Sequence, residues 1–177
     1  WAATLVLGVM HGAHESRRDA PRMRHRAWGD DEVVTAAVDL AATCHRLHVD
    51  APTGLPPAQV RFERDGSYTV TNPNYHLSPE TAEALFYLYR FTADEKYRDR
   101  GWAIAAAVEE HCRTRSGYAA LRRAERLPAE RIDAMDGAFL SQTLRYLFLL
   151  FSEPTLLPLD AFVFSSQGHP FRIPGRS

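Results

Sequence analysis

The sequence predicts an all-α protein, and three observations carry that reading. Apolar residues recur at helical spacing in several separate segments, the joints between them hold prolines and glycines, and only two short stretches alternate as strands do. The chain has 177 residues, 45% of them hydrophobic, enough for one compact domain with a core of its own. The expected architecture is a set of helical hairpins with one short β-hairpin and a β-like tail.

Taken in order, residues 1–12 read as a buried helix. This opening has no start methionine, basic leader or cleavage site, so it is expected to be a helix entered partway through a longer protein rather than a signal peptide. Residues 15–31, "ESRRDAPRMRHRAWGDD", are polar, arginine-rich and broken by Pro21, which reads as a surface loop in preference to a nucleic-acid patch. From Asp31 to Leu47 two apolar series, Val34, Val38, Ala41 and Leu40, Cys44, Leu47, predict a helix whose amino end is favoured by Asp30 and Asp31. "VDAPTGLPP" (49–57) stops it, and "VRFERDGSYTV" alternates around Asp65-Gly66 as a hairpin does. A helix is predicted to start at Ser78-Pro79, with Ser78 as cap and Pro79 in the first turn. Thr92 and Glu95 suggest a capping box for another over 93–113. A loop with Gly117 precedes a long helix expected from about Arg131 to Phe151, with Phe139, Leu140, Leu144, Leu147 and Phe151 as its core stripe. The tail "DAFVFSSQGHPFRI" holds two β-like pieces around a turn. A tetratricopeptide solenoid over 80–113 is disfavoured because the tryptophan-leucine-glycine signature is absent.

Charge narrows the function classes. Lys plus Arg number 21 against 22 for Asp plus Glu, a net charge of −1, which gives no electrostatic reason to expect nucleic acid or an anionic membrane. No apolar run approaches the roughly 20 residues a membrane span needs. His11 with His14, and His45 with His48, are spaced for a metal on a helix face, but no third ligand is evident. Neither Cys44 nor Cys112 belongs to a zinc motif. Glu80 and Glu83 are the notable acids. They lie one turn apart on a stripe shared with Tyr87, and two acids at a helix amino end are first explained by the helix dipole.

A second explanation comes from resemblance. "LGVMHG" (7–12), "APTGLPP" (51–57), "SPETAEALFYLYRFTADEKYRDRGW" (78–102), "AFLSQTLRYLFLLFSEPTLLPLDAFVF" (138–164) and the late His169-Pro170 occur in the order of the class I α-1,2-mannosidases, glycoside hydrolase family 47. From about Leu5 to Ile173 the chain resembles the carboxy-terminal part of that family's single catalytic domain. The resemblance implies a partial (αα)7 barrel over residues 1–177, trimming of mannose from high-mannose N-glycans on glycoproteins in the secretory pathway (endoplasmic reticulum or Golgi), inversion of configuration, and a Ca2+ cofactor. Any membrane attachment would come through an upstream anchor.

Carried over by position, the resemblance implies Glu80 as the water-activating base and Glu83, Asp136, Gln142 and Gln167 as substrate-binding residues. Ser166 would ligate calcium through its hydroxyl and carbonyl. Cys44 would pair with a cysteine upstream of this chain, while Cys112 matches a position that is often unpaired. The chemistry suits these types, because inverting hydrolysis needs two carboxyl groups on opposite faces of the sugar, and calcium takes oxygen donors. The departures are specific. Ser78 stands where the family has arginine, Ala138 replaces a substrate-facing phenylalanine, and Gln142, Gln167 and Ala58 replace acids. Glutamine hydrogen-bonds a sugar but cannot act as a base. The family's general acid lies upstream of the "LGVMHG" segment, so these residues alone are expected to be inactive. Two other readings remain at this point. One is a non-catalytic, lectin-like relative that recognises high-mannose glycans in glycoprotein quality control. The other is a degraded coding sequence without a stable fold.

Overall fold

The computed structural model describes residues 2–10 and 30–175. Residues 15–29 of the arginine-rich stretch, His11 and His14 lie outside them, while Asp30 and Asp31, expected in the loop, are helical. Nearly half of the described residues are helical. Five α-helices, α1 (Ala2–Met10), α2 (Asp30–Asp50), α3 (Glu80–Thr92), α4 (Lys96–Cys112) and α5 (Leu144–Phe151), alternate with three two-stranded antiparallel pairs. The pairs are β1 (Gln59–Phe62) with β2 (Tyr68–Asn72), β3 (Ala120–Leu121) with β4 (Arg131–Ile132), and β5 (Phe162–Phe164) with β6 (Pro170–Arg172). Among the described residues no helix is long and apolar enough to cross a membrane.

The core forms around α3, which packs against α1, α2, α4 and α5. Its sequence from Ala82 to Leu88 is apolar apart from Glu83, and Ala82 and every residue from Ala84 to Leu88 are buried. A helix apolar nearly all round must be enclosed by others. On α2 the buried positions are Val33, Ala37, Ala41 and His48; Ala41 belongs to the predicted series, the other three sit one step from its members, and Leu40 is exposed. Small alanines at the contact let α2 approach closely, and the larger residues beside them flank it. Gly101 serves α4 similarly, since a Cβ there would sit 2.3 Å from Leu150 Cδ2 of α5.

Three local expectations are corrected. Pro79, not Ser78, is the residue before the first helical position of α3, and no side-chain cap is made there. The capping box of Thr92 and Glu95 does not form. Thr92 ends α3 by donating to Leu88 O at 2.7 Å, and Asp94 Oδ1 instead accepts from the Lys96 N–H at 3.0 Å to start α4. The largest departure is the helix expected from Arg131. Residues 131–132 pair with 120–121, and helical structure begins after Asp136, whose Oδ1 accepts from the Ala138 N–H at 2.9 Å. It then runs as a π-helical segment, Phe139–Thr143, before α5. The wider π turn rotates side chains off the α period, so Phe139 and Leu147 are buried while Leu140 (55% exposed) and Leu144 turn outward.

One side chain holds the segment after α5. Arg90 at the end of α3 donates to Pro154 O (2.6 Å), Leu156 O (3.2 Å) and Leu149 O (3.4 Å), its guanidinium stacked over Phe86 with 5.0 Å to the ring centroid. The wide planar fork of arginine reaches carbonyls on separate residues at once, a span that the compact ammonium of lysine does not reproduce. Arg90→Ala is therefore expected to lower stability by about 1–3 kcal/mol, and Arg90→Lys is expected to recover little of it in denaturant melts. Leu140, Leu144 and Phe148 (64% exposed) form an outward apolar row at helical spacing, so these 177 residues on their own should bind a hydrophobic dye. A cooperatively melting monomer that leaves the dye dark would contradict this.

Candidate active site

The amino end of α3 carries Glu80, which is exposed, and Glu83, which is half-buried. The chain enters this helix through Leu77, a buried non-glycine residue at φ +60°. Such a backbone persists only where surroundings hold it. Here the buried Thr143 hydroxyl in the π segment donates to Leu77 O at 2.7 Å, and Tyr75 exchanges two 2.9 Å backbone bonds with Leu121 of β3. The π segment is thereby tied directly to the base of the acidic turn.

Glu83 meets α5 through Tyr146, whose hydroxyl donates to Glu83 Oε1 at 3.2 Å. Burial pushes the Glu83 carboxyl above the usual carboxylate range, the Tyr146 hydrogen bond opposes that, and the neighbouring Glu80 charge adds to it. Tyr87 and Tyr146, both buried, have their phenols pushed up by burial and by the Glu83 charge. The ring of Phe164, at the end of β5, packs on Phe86, Tyr87 and Tyr146 with centroids 5.9, 6.5 and 5.8 Å away. Aromatic packing at these distances brings the β5–β6 turn over the same helices.

That turn, Ser165 to His169, is closed by its own bonds. Ser165 Oγ accepts from the Gln167 and His169 N–H groups, both at 3.2 Å. Gly168 has φ +73° and lies so close to the π segment that a Cβ would stand 2.6 Å from Ser141 O and 3.2 Å from Gln142 Cγ. Arg145 donates to the Gly168 carbonyl. Both the backbone angle and the approach require glycine. Ser166 and Gln167 project from this turn into solvent, and Ser166 makes no hydrogen bond to the described residues.

Three of the sequence-derived pieces therefore come together: Glu80 and Glu83 on α3, Gln142 on the π segment, and the turn bearing Ser166 and Gln167. Asp136 is exposed, and its carboxylate serves the local capping contact described above. Sequence reasoning overlooked Thr143, Arg145, Tyr146 and Phe164. Tyrosines inside otherwise apolar helices were the available signal, because a buried phenol needs a partner. Cys44 is half-buried and Cys112 fully buried, both free thiols, with Cys112 pushed up to about 12 by burial. Among the described residues no group of three or more His, Cys, Asp or Glu is placed to hold a metal, and His48 is a buried core residue.

Two outcomes follow from this geometry. Gly168→Ala should destabilise by about 1–3 kcal/mol, since strain and overpacking act together, and proteolysis should then begin in the β5–β6 turn. The raised carboxyl of Glu83 means its ionised form is disfavoured by folding. Stability tied to its protonated form is complete below the ordinary carboxyl range and is lost as pH rises through the raised value. Glu83→Gln should accordingly raise the melting temperature at pH 7 and leave it unchanged near pH 3; a loss at pH 7 would mean that the charge is favourably held.

Comparison with known proteins agrees with this architecture. The family model for glycosyl hydrolase family 47 matches residues 1–173. The mannosyl-oligosaccharide alpha-1,2-mannosidase IA of Drosophila melanogaster is 40% identical over 148 residues, covering 82% of this chain and 22% of the fly protein. The endoplasmic reticulum mannosyl-oligosaccharide 1,2-alpha-mannosidase of Homo sapiens is 38% identical, covering 96% of this chain and 24% of the human protein. This chain thus spans about a quarter of the length of these relatives. An alpha-1,2-mannosidase from Trichoderma reesei shares the fold, with a TM-score of 0.81 at 22% identity over 97% of this chain and 37% of that one. With the family model matched over residues 1–173 and relatives up to 40% identical, the chain belongs to glycosyl hydrolase family 47.

Proposed function

We propose that residues 1–177 are the carboxy-terminal part of one family-47 catalytic domain, a segment of its (αα)7 barrel. That domain trims α-1,2-linked mannose from high-mannose N-glycans on glycoproteins in the endoplasmic reticulum or Golgi. The observation that carries the reading is the convergence of the acidic turn of α3, the π segment and the Ser166 turn, held by the Thr143 bond and the Phe164 ring packing. The relatives' names support a mannosyl-oligosaccharide substrate, and the human relative's name supports the endoplasmic reticulum.

In this reading Glu80 takes a proton from the water that attacks the anomeric carbon on the face opposite the leaving oxygen, giving inversion. Its exposure leaves it open to water and sugar alike. Glu83, positioned by Tyr146, accepts or donates a hydrogen bond to a sugar hydroxyl according to its protonation. Asp136, Gln142 and Gln167 hydrogen-bond further hydroxyls, the two amides without acting as bases. The general acid is supplied from outside these residues, as the family pattern implies, so the 177 residues alone should release no mannose. Cys44 pairs with a cysteine elsewhere in the domain.

The Ser166 hydroxyl and carbonyl are hard oxygen donors with no protein partner among the described residues, which fits calcium. When bound, calcium would supply a hard Lewis acid that orients sugar hydroxyls and water. Ser166 would hold it, with the remaining sites left to waters and substrate.

A second reading, lectin-like recognition without turnover, is favoured by the uncharged Gln142 and Gln167. Glu80→Gln in the full-length protein separates the two. Turnover of a high-mannose glycan should fall by at least about 10²-fold, the lower range for removing a general base, with glycan affinity little changed. A wild-type protein that binds the glycan and never cleaves it, with calcium present, would favour the lectin.

A further inference from the structure

The π segment ends at Thr143, and Arg145 is the second residue of α5. Thr143 is committed to Leu77 O at the entry to α3. Arg145 instead reaches across 23 residues to the carbonyl of Gly168 in the β5–β6 turn. Among the described residues it is half-buried, makes no other hydrogen bond and pairs with no carboxylate. The guanidinium thus serves one backbone oxygen rather than an acid.

The turn does not need that bond to close. Ser165 Oγ accepts from the Gln167 and His169 N–H groups. The Gly168 N–H donates to Ser165 O and the Ser165 N–H to His169 O, both at 2.9 Å. Residues 165–169 are therefore tied to one another and can move as one piece. Two points set the place of that piece against the helices. Phe164 at its base packs on Phe86, Tyr87 and Tyr146, and Gly168 sits against Ser141 and Gln142. Among the described residues, the Arg145 bond is the only hydrogen bond that joins residues 165–169 to a helix. Without it, apolar packing at Phe164 and van der Waals contact at Gly168 are what hold the turn down.

We propose that Arg145 is a positioning residue for calcium. Its bond to Gly168 O fixes where the Ser166 oxygens stand relative to Gln142 and the acids of α3, and so sets the affinity of the turn for the ion. This rests on the reading of Ser166 as a calcium ligand. Calcium gathers about six to eight oxygens, so a turn free to lift away must be ordered as the ion binds, and that ordering lowers affinity. Charge acts in the opposite sense. A guanidinium near the turn repels a divalent cation, so its removal would by itself tighten binding. A neutral substitution therefore separates the two effects by sign.

The test is calorimetric titration of the full-length protein with calcium chloride at pH 7, after bound metal has been removed with a chelator. Arg145→Met keeps much of the apolar stem and should weaken calcium binding by about tenfold, the factor that one hydrogen bond supplies. The metal-free variant should still melt cooperatively. Arg145→Lys keeps a donor for the single carbonyl and should recover most of the affinity. Arg145→Gln, whose amide is too short to span to Gly168, should behave as Arg145→Met does, so the result does not hang on one variant folding. Ser166→Ala should also weaken binding, through loss of the hydroxyl ligand. The proposal is overturned if Arg145→Met binds calcium as tightly as the unaltered protein or more tightly, or if lysine restores nothing, while Ser166→Ala still weakens binding; the calcium reading then stands without it. A calcium affinity indifferent to Ser166→Ala contradicts that reading itself, and this proposal with it.

Discussion

The enclosure of α3 is the constraint on which the rest of this structure depends. With α1, α2, α4 and α5 packed around it, the helix has no solvent face along its middle, so its polar groups are confined to its ends. Full burial of Leu85, Phe86 and Leu88 stabilises by roughly 1.5–3 kcal/mol each, far more than holding one partly buried carboxyl against its preference costs. That surplus is what allows Glu83 to sit beneath Tyr146 instead of in water. The positive end of the helix dipole also lies where the two acids crowd together and offsets part of their repulsion.

From that fixed helix the site is assembled by elements far away in sequence. Thr143 reaches back 66 residues to Leu77, and Phe164 lays the tail hairpin on the aromatic face made by Phe86, Tyr87 and Tyr146. The unusual backbone of Leu77 and the close approach of Gly168 to Ser141 are local costs, of order 1–3 kcal/mol where φ is forced. They persist because tertiary packing over-determines them. Arg90 contributes from the other end of α3 by fixing the carbonyls that lead into the tail. The acids, the amide of Gln142 and the free oxygens of Ser166 are thus presented by rigid neighbours rather than by a flexible loop.

Much of this was legible in the sequence. The helical spacing over 31–47, from Ser78 onward and over 93–113, the Asp65-Gly66 hairpin and the two tail strands follow from local chemistry, and the pair Glu80 and Glu83 stood out by its spacing. The rest depended on tertiary geometry. The apolar pattern ahead of Phe151 reads equally as one long helix, and only the pairing of residues 131–132 with β3 and the π turn at Phe139 shorten it and turn Leu140 and Leu144 outward. On α2, two interleaved apolar series showed Ala41 but hid Val33 and Ala37, and His48, met as half of a histidine pair, is instead part of the buried face. The roles of Tyr146 and Phe164 could not be read from spacing, since each depends on a residue more than 60 positions away.

The account stands on one claim: that the amino turn of α3, the π segment and the Ser166 turn together form a single glycan site. The most direct measurement is a crystal structure of the full-length protein with calcium and a non-hydrolysable, thio-linked α-1,2-mannobiose. The account predicts a metal at about 2.3–2.6 Å from the Ser166 hydroxyl and carbonyl oxygens, the range for calcium, with the sugar between it and Glu80 and Glu83. A disaccharide bound elsewhere, with Ser166 facing only solvent, would contradict it.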